Sequence, residues 1–312
     1  MNEVSRKILE QVNSVIIGKE AVTEKVLMAV LAQGHVLLED VPGVGKTTMA
    51  LAFARTLGLD SRRVQFTSDT MPSDIIGFSL YNKETGSFDY KSGAVMTNLL
   101  LADEINRTSS KTQSALLEAM EEYQVTVDGH TYPLPKPFVV LATQNPVGSA
   151  GTQLLPSSQL DRFMIRTTMG YPDRQSQVDI LRERHHENPL DRLQGVVTCE
   201  ELLELIESAK QVHIADAVYD YIVDLVDATR SSELVELGVS PRGALALCRM
   251  AKAHAFVRGG DFVTPEDVYQ VFDDVCAHRL VLSAKARLGK ITAREITEQL
   301  RQQVPVPQVA QL

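Results

Sequence analysis

Tryptophan is absent from this chain of 312 residues, and aromatic side chains make up only 5% of it. Aliphatic side chains must therefore fill whatever core the 44% hydrophobic content builds. Positive charge is in deficit: 31 lysines and arginines face 40 aspartates and glutamates, a formal net charge of −9. That balance argues against a broadly basic nucleic-acid surface, while leaving room for a local basic pore. No apolar run approaches the ~20 residues that a membrane-spanning helix needs. The N-terminus has no signal-peptide layout, so a soluble cytoplasmic protein is the expectation. Cysteine is rare. Cys199, Cys248 and Cys276 are far apart and odd in number, which points to buried free thiols in a reducing compartment. No internal repeat is visible, and the length allows one large or two modest domains.

What is present is organised around residues 36–48, Val-Leu-Leu-Glu-Asp-Val-Pro-Gly-Val-Gly-Lys-Thr-Thr. This reads as a short apolar strand, a turn with two glycines and a helix start. The helix would run from Lys46 to about Leu57, with Met49, Ala50, Phe53, Ala54 and Leu57 on one face. Backbone N–H groups converge on an anion in such a turn, and the helix dipole favours negative charge there. The candidate phosphate-binding set is Pro42, Gly43, Val44, Gly45, Lys46, Thr47 and Thr48. Lys46 would reach the outer phosphates, and the Thr47 hydroxyl would hold Mg²⁺. Asp40 stands where the strict phosphate-loop pattern has its first glycine.

The rest of the chain supplies further chemistry. Before the loop, helices are expected over residues 1–15 and from Glu20 to Gln33. The turn between them contains Ile17 and Gly18, which could read an adenine edge or simply pack on the core. Arg63 to Thr67 alternates like a strand, and Ser68 to Gly77 looks irregular. Residues 77–90 read as a hairpin carrying exposed-looking Tyr81, Phe88 and Tyr90, either self-packed or a contact surface. Asn98 to Glu104 is an apolar strand ending in two acids, where α/β sheets bind ligands. Asp103 would join the Mg²⁺ shell and Glu104 would polarise the attacking water. A helix from Lys111 to Glu122 follows, then a hairpin turning at Asp128-Gly129. Phe138 to Thr143 is another apolar strand. Asn145, directly after it, could contact a γ-phosphate or mark an ordinary Asn-Pro turn. A flexible loop is expected at 148–151 and a fifth strand at 163–169. Beyond Tyr171-Pro172-Asp173 the pattern is helical, with a frayed end from Val304.

Together these residues resemble the AAA+ ATPases, and within them the MoxR group most closely. The resemblance covers nearly the whole chain. Its most specific parts are Leu38 to Thr47, Leu100 to Arg107 and Lys111 to Met120, completed by Ala142 to Pro146, Gln159 to Phe163 and Ser240 to Gly243. It implies a P-loop αβα core with a five-stranded parallel sheet over residues 1–172, then an all-helical lid over 173–312. It implies ATP and Mg²⁺ as ligands and an oligomeric, hexameric ring. Asn145 matches the sensor-1 position. Arg162 matches an arginine finger acting on the neighbouring subunit, and Arg242 a sensor-2 arginine acting on nucleotide in its own subunit. The lid would rotate as a rigid body against the core. The implied activity is ATP hydrolysis driving a chaperone-like motor, with von Willebrand factor A domain partners and roles in metal-cofactor insertion. A nucleic-acid motor of related build is the alternative, and a nucleotide-dependent scaffold a third reading. Two departures are visible: Ser109-Ser110 where the family has Pro-Pro, and Ser157 where it has Glu.

Overall fold

The structure, a computed structural model, describes residues 1–40, 43–145, 155–183 and 189–307. Pro42, Pro146 and the loop expected at 148–151 lie outside them. Two helices open the chain, α1 (Glu3–Asn13) and α2 (Glu20–Leu31). The Asn2 side chain caps α1 by accepting the Val4 and Ser5 N–H groups, at 3.0 and 3.2 Å. Strand β1 (Val36–Glu39) then leads through the glycine turn into α3 (Lys46–Thr56). Next come β2 (Ser61–Gln65), α4 (Pro72–Ile76), β3 (Gly77–Asn82), β4 (Ser87–Ser92) and β5 (Leu99–Asp103). They are followed by α5 (Ser110–Glu122), β6 (Gln124–Val127), β7 (His130–Pro133) and β8 (Val139–Gln144). A short α6 (Ser157–Leu160) precedes β9 (Ile165–Thr167).

Five strands make one parallel sheet in the order β2-β5-β8-β1-β9. The strands β1, β5 and β8 are covered on both faces, which is why they read as unbroken apolar runs. The edge strand β2 carries a partly exposed Ser61 and two exposed charges, Arg62 and Arg63, as an edge requires. It begins at Ser61, two residues before the expected start. One apolar cluster lies on the α1–α3 face of the sheet and continues into the later helices. A second fills the face under α5 and the β6 hairpin.

Helix α4 falls in a stretch that reads as irregular. Pro72 starts it, and the Met71 N–H donates to the Asp74 carboxylate at 2.9 Å. The two hairpins form as expected, with positive φ at Asp128 (48°) and Gly129 (78°) making the type I′ turn. Tyr81 and Phe88 are exposed, but Tyr90 is not free. Its ring stacks on Tyr132 of the other hairpin at 4.0 Å, and its hydroxyl donates to the Ile76 carbonyl at 2.6 Å. Two tyrosines thus join the hairpins, a contact that no local pattern announces.

From residue 174 the chain is mainly helical: α7 (Arg174–Glu183), α8 (Cys199–Lys210), α9 (Asp216–Ser231), then strand β10 (Val235–Leu237) and α10 (Pro241–Arg258). After α11 (Pro265–Cys276) come β11 (Val281–Leu282), α12 (Ala284–Leu288) and α13 (Ala293–Gln303). Strands β10 and β11 form a small antiparallel ladder inside this region. Thr264 caps α11 with Pro265 at its first position, as the sequence suggests. The capping carboxylate of Asp267 is buried, yet it accepts from His254, Arg258 and Thr264. Burial favours its neutral form, but those hydrogen bonds prevail and hold it below the usual carboxylate range. Cys276 is buried, and burial pushes its thiol up to about 12. Cys199 and Cys248 are free but partly exposed, so uniform burial of the thiols does not hold.

Candidate nucleotide site

Parallel strands give the sheet two chemically different edges, one at their carboxyl ends and one at their amino ends. At the carboxyl edge, Gly43 and Gly45 take positive φ of 89° and 101°, a region that side chains avoid. This lets the turn close over the first residue of α3. Asp40 is 6% exposed and points away from the turn's mouth. Its carboxylate accepts the Met169 N–H and, at 2.9 Å, the Gly170 N–H. An aspartate at the first glycine position therefore pins the chain after β9 to the turn.

Lys46 is 7% exposed and donates to the Asp40 carbonyl at 3.0 Å. Burial lowers its pKa, against the pull of Asp103, Asp40 and Glu104. An open cleft of about 340 Å³ lies in front of it, bounded by Gly43, Gly45, Thr47, Thr48, Asp103 and Glu104. Val44 instead packs against the core. Thr143 fixes both acids: its hydroxyl donates to Asp103 at 2.6 Å and accepts the Glu104 N–H at 2.8 Å. Glu104 takes a left-handed conformation (φ 58°, ψ 48°), a strained position for a non-glycine residue. Its carboxylate meets Arg107 at 2.8 Å. Asn106 donates to the Asn145 carbonyl at 3.2 Å, setting the end of β8 beside the acids. The Asn145 side-chain oxygen is buried with no partner among the described residues. A carboxylate and a threonine hydroxyl at an open mouth suit Mg²⁺, which keeps several waters and takes one or two protein oxygens beside phosphate.

The arginines lie at the other edge. Met164, just before β9, donates to the carbonyl of His35, just before β1. Arg162 precedes that point, so it sits at the amino edge. Helix α5 runs back from the acids to the same edge, where Tyr123 donates to the Gln33 carbonyl at 3.0 Å. Glu121, near its end, receives Arg162 at 2.9 Å and also Arg242. The length of β1 separates this group from the glycine turn by roughly 16 Å, five residues of extended chain. In this conformation Arg242 pairs with Glu121 at the amino edge and does not line the cleft at the glycine turn. The reason is how α10 docks: its capping Ser240 donates to Asp161 at 3.0 Å, bringing Arg242 beside Arg162.

Arg279 makes that docking rigid. It is 5% exposed, donates to the Asp161 carboxylate at 2.8 Å, and reaches the carbonyls of Phe163 (2.7 Å) and Met164 (3.2 Å). His35 is buried beneath. It contacts the Met120 carbonyl through Nε2 and accepts the Val140 N–H through Nδ1, both at 3.0 Å. Burial holds its pKa down to about 4, which fixes it neutral. Ile17 and Gly18 are not among the residues that line this cleft. Gly18 sits so close to Ser176 that a Cβ would stand 2.2 Å from its hydroxyl, and both residues stay partly exposed.

Sequence reading did not single out Thr143, Arg63, Glu121 or Arg279. Thr143 could have been found, as a hydroxyl directly beneath the strand-end amide. Arg279 could not, because only tertiary packing brings it to Asp161.

The family model described as "ATPase family associated with various cellular activities (AAA)" matches residues 35–165, and "AAA lid domain" matches residues 227–300. YeaC of Bacillus subtilis is 46% identical over 301 residues, covering 96% of this chain and 94% of that protein. Chaperone MoxR1 of Mycobacterium tuberculosis is 40% identical over 318 residues, 99% of this chain and 84% of that one. Among solved structures, a Cytophaga hutchinsonii protein assigned as an ATPase superposes with a TM-score of 0.90. It shares 39% identity and covers 97% of this chain and 94% of that one.

Proposed function

This chain belongs to the MoxR family of AAA+ ATPases, and from that membership we propose an oligomeric, chaperone-like motor that remodels protein partners. It is an ATP-hydrolysing enzyme with a P-loop αβα core and a helical lid. Phosphoryl transfer to water needs charge neutralisation and alignment more than covalent chemistry. Lys46 would neutralise the outer phosphates, with Gly43, Gly45 and Thr48 cradling them and Pro42 and Val44 shaping the turn. Ile17 and Gly18 would meet the base. Thr47 and Asp103 would hold Mg²⁺, which supplies charge neutralisation at the β- and γ-oxygens when bound. Glu104 would polarise the water, and Asn145 would hold it in line.

One observation carries the oligomeric part of this reading. Lys46, Asp103 and Glu104 stand at the carboxyl edge, while Arg162 and Arg242 stand together at the amino edge. On this reading the arginines of one chain would not reach that chain's own pocket. Those of a head-to-tail neighbour would, and head-to-tail contacts that close make rings. We assign Arg162 and Arg242 jointly to the neighbour's nucleotide, in a ring of six. Arg279 supports a coupled motion, because the lid and the segment carrying Arg162 are hydrogen-bonded into one piece. The lid's rotation would then carry the arginines with it. The proposed setting is cytoplasmic, with a von Willebrand factor A domain protein as partner and metal-cofactor insertion among its tasks.

The test is ATPase activity as a function of protein concentration, read beside light scattering. Specific activity should rise with assembly, in the mass-action range where the ring forms. Constant specific activity from monomer to ring would reject the shared pocket. Stimulation by DNA, with none by a von Willebrand factor A domain partner, would instead favour a nucleic-acid motor.

A further inference from the structure

The cleft contains a second cation that the reading above does not use. Arg63 is the third residue of the edge strand β2 and shares a strand face with Gln65, which pairs in register with Asp103. Its Nη2 donates to the Asp103 carboxylate at 2.8 Å and to the Gln65 side-chain oxygen at 3.1 Å. The other Asp103 oxygen is already taken by Thr143. The acid expected to hold metal is thus gripped from both sides, by a hydroxyl beneath and a guanidinium in front.

Fixing Asp103 alone does not account for this arginine. Its side chain remains 51% exposed and lines the same cleft as Lys46. Both hydrogen bonds use Nη2, so Nη1 and Nε have no partner among the described residues. A guanidinium is a planar fork that fits paired phosphate oxygens, and it stays charged at any working pH. The glycine turn and Lys46 follow β1, and Arg63 sits on β2 with β8 and β5 between them, so a chain of phosphates held at Lys46 would extend towards the arginine.

We propose that Arg63 is a phosphate-contacting residue of this site: it stays on Asp103 through Nη2 and gives its free donors to the terminal phosphate of a bound nucleoside triphosphate. This rests on the nucleotide-site reading above and adds to it a reason for the site to prefer triphosphate over diphosphate. Asp103 then orients the arginine as much as the arginine orients Asp103.

The experiment compares the parent with Arg63→Gln and Arg63→Lys by equilibrium binding of a fluorescent ADP and a slowly hydrolysed ATP analogue. Mn²⁺ binding with ADP is followed by electron paramagnetic resonance. Arg63→Gln should lose about tenfold in triphosphate affinity, one charge-assisted hydrogen bond's worth, while ADP affinity moves less than about threefold. Arg63→Lys should recover part of the loss, since charge returns without the fork. Equal changes for the two nucleotides, or none, would overturn the assignment. So would a tightening of Mn²⁺ with no change in triphosphate affinity, which would make Arg63 a stand-in cation only. A parent that binds neither nucleotide would overturn the nucleotide-site reading itself, and the role of Arg63 with it.

Discussion

At the carboxyl edge of the sheet, a lysine, two acids and a turn of glycines surround an open cleft. At the amino edge, two arginines, one in the turn before β9 and one at the start of α10, share one carboxylate. The first group is built from residues close in sequence to a strand end, so each side chain is aimed by its own strand or helix. The second is built by docking: Ser240 and Arg279 on Asp161 bring a late helix to the turn before β9. In the cleft Lys46 and Arg63 face two acids, which leaves little net positive charge for a triphosphate, and the arginine pair has more than Glu121 balances. Each edge has what the other lacks, and the length of the strands keeps them apart within one chain.

This contrast can be broken or sharpened by substitution. The largest effect should come from Arg162→Ala. Loss of an arginine finger should cut kcat by roughly 10³–10⁵ while nucleotide affinity in the same subunit holds within a few-fold. Lys46→Ala should instead lose nucleotide binding itself. Steady-state kinetics and equilibrium binding separate the two, and matching binding losses would erase the distinction between the edges.

Arg279→Ala should come next. Removing one partner of a buried ion pair leaves the Asp161 charge without its cation and takes a donor from the Phe163 and Met164 carbonyls, at a cost of about 3–5 kcal/mol. Denaturant midpoints measure this, and a loss under ~1 kcal/mol would show the docking to be loose. His35 then gives the amino edge a pH dependence. Its folded pKa is held at about 4, so below pH 6.5 the unfolded chain takes a proton that the folded chain refuses. Stability is full above 6.5 and falls as pH drops towards 4, by up to about 3 kcal/mol from this residue. Buried His278, lowered likewise by burial, adds with the same sign. His35→Gln should flatten part of that slope in pH-dependent melts. An unchanged slope would remove His35 from the account.

The smallest effect should come from the exposed hairpin. Phe88 is 72% exposed and meets Tyr81 edge-on at 5.4 Å. Phe88→Ser should change stability by no more than about 0.5 kcal/mol, as surface substitutions do. A larger loss would show that the hairpin tip supports the fold.

Much of the carboxyl edge was legible because phosphate chemistry demands particular residues at short, fixed spacing. Lys46, Thr47, Asp103 and Glu104 follow from strand ends and a glycine turn, and the structure brings them to one cleft. The central strands were legible as apolar runs, since buried strands need them, while their parallel arrangement came with the family resemblance. The placement of Arg242 was not legible. Its neighbours Pro241 and Gly243 predict a helix start, but nothing local says which edge that start will face. Asp40 was visible as a departure from the phosphate-loop pattern, and its purpose emerged only with the two backbone amides after β9. Helix α4 went unread because it is five residues long, although Pro72 and Asp74 carried its capping signal. Tyr90 read as exposed because strand alternation cannot see a second hairpin.

The central claim is that two chains are needed to make one pocket, and mixing two inactive variants tests it most directly. Glu104→Gln keeps its arginines and Arg162→Ala keeps its acids, so a head-to-tail neighbour of one can complete the other. Neither should turn over ATP alone, and an equimolar mixture should regain up to about a quarter of the parent rate, the share of interfaces pairing intact halves. A mixture as inactive as its components, with rings assembled, would contradict the account, as would full turnover by Arg162→Ala alone.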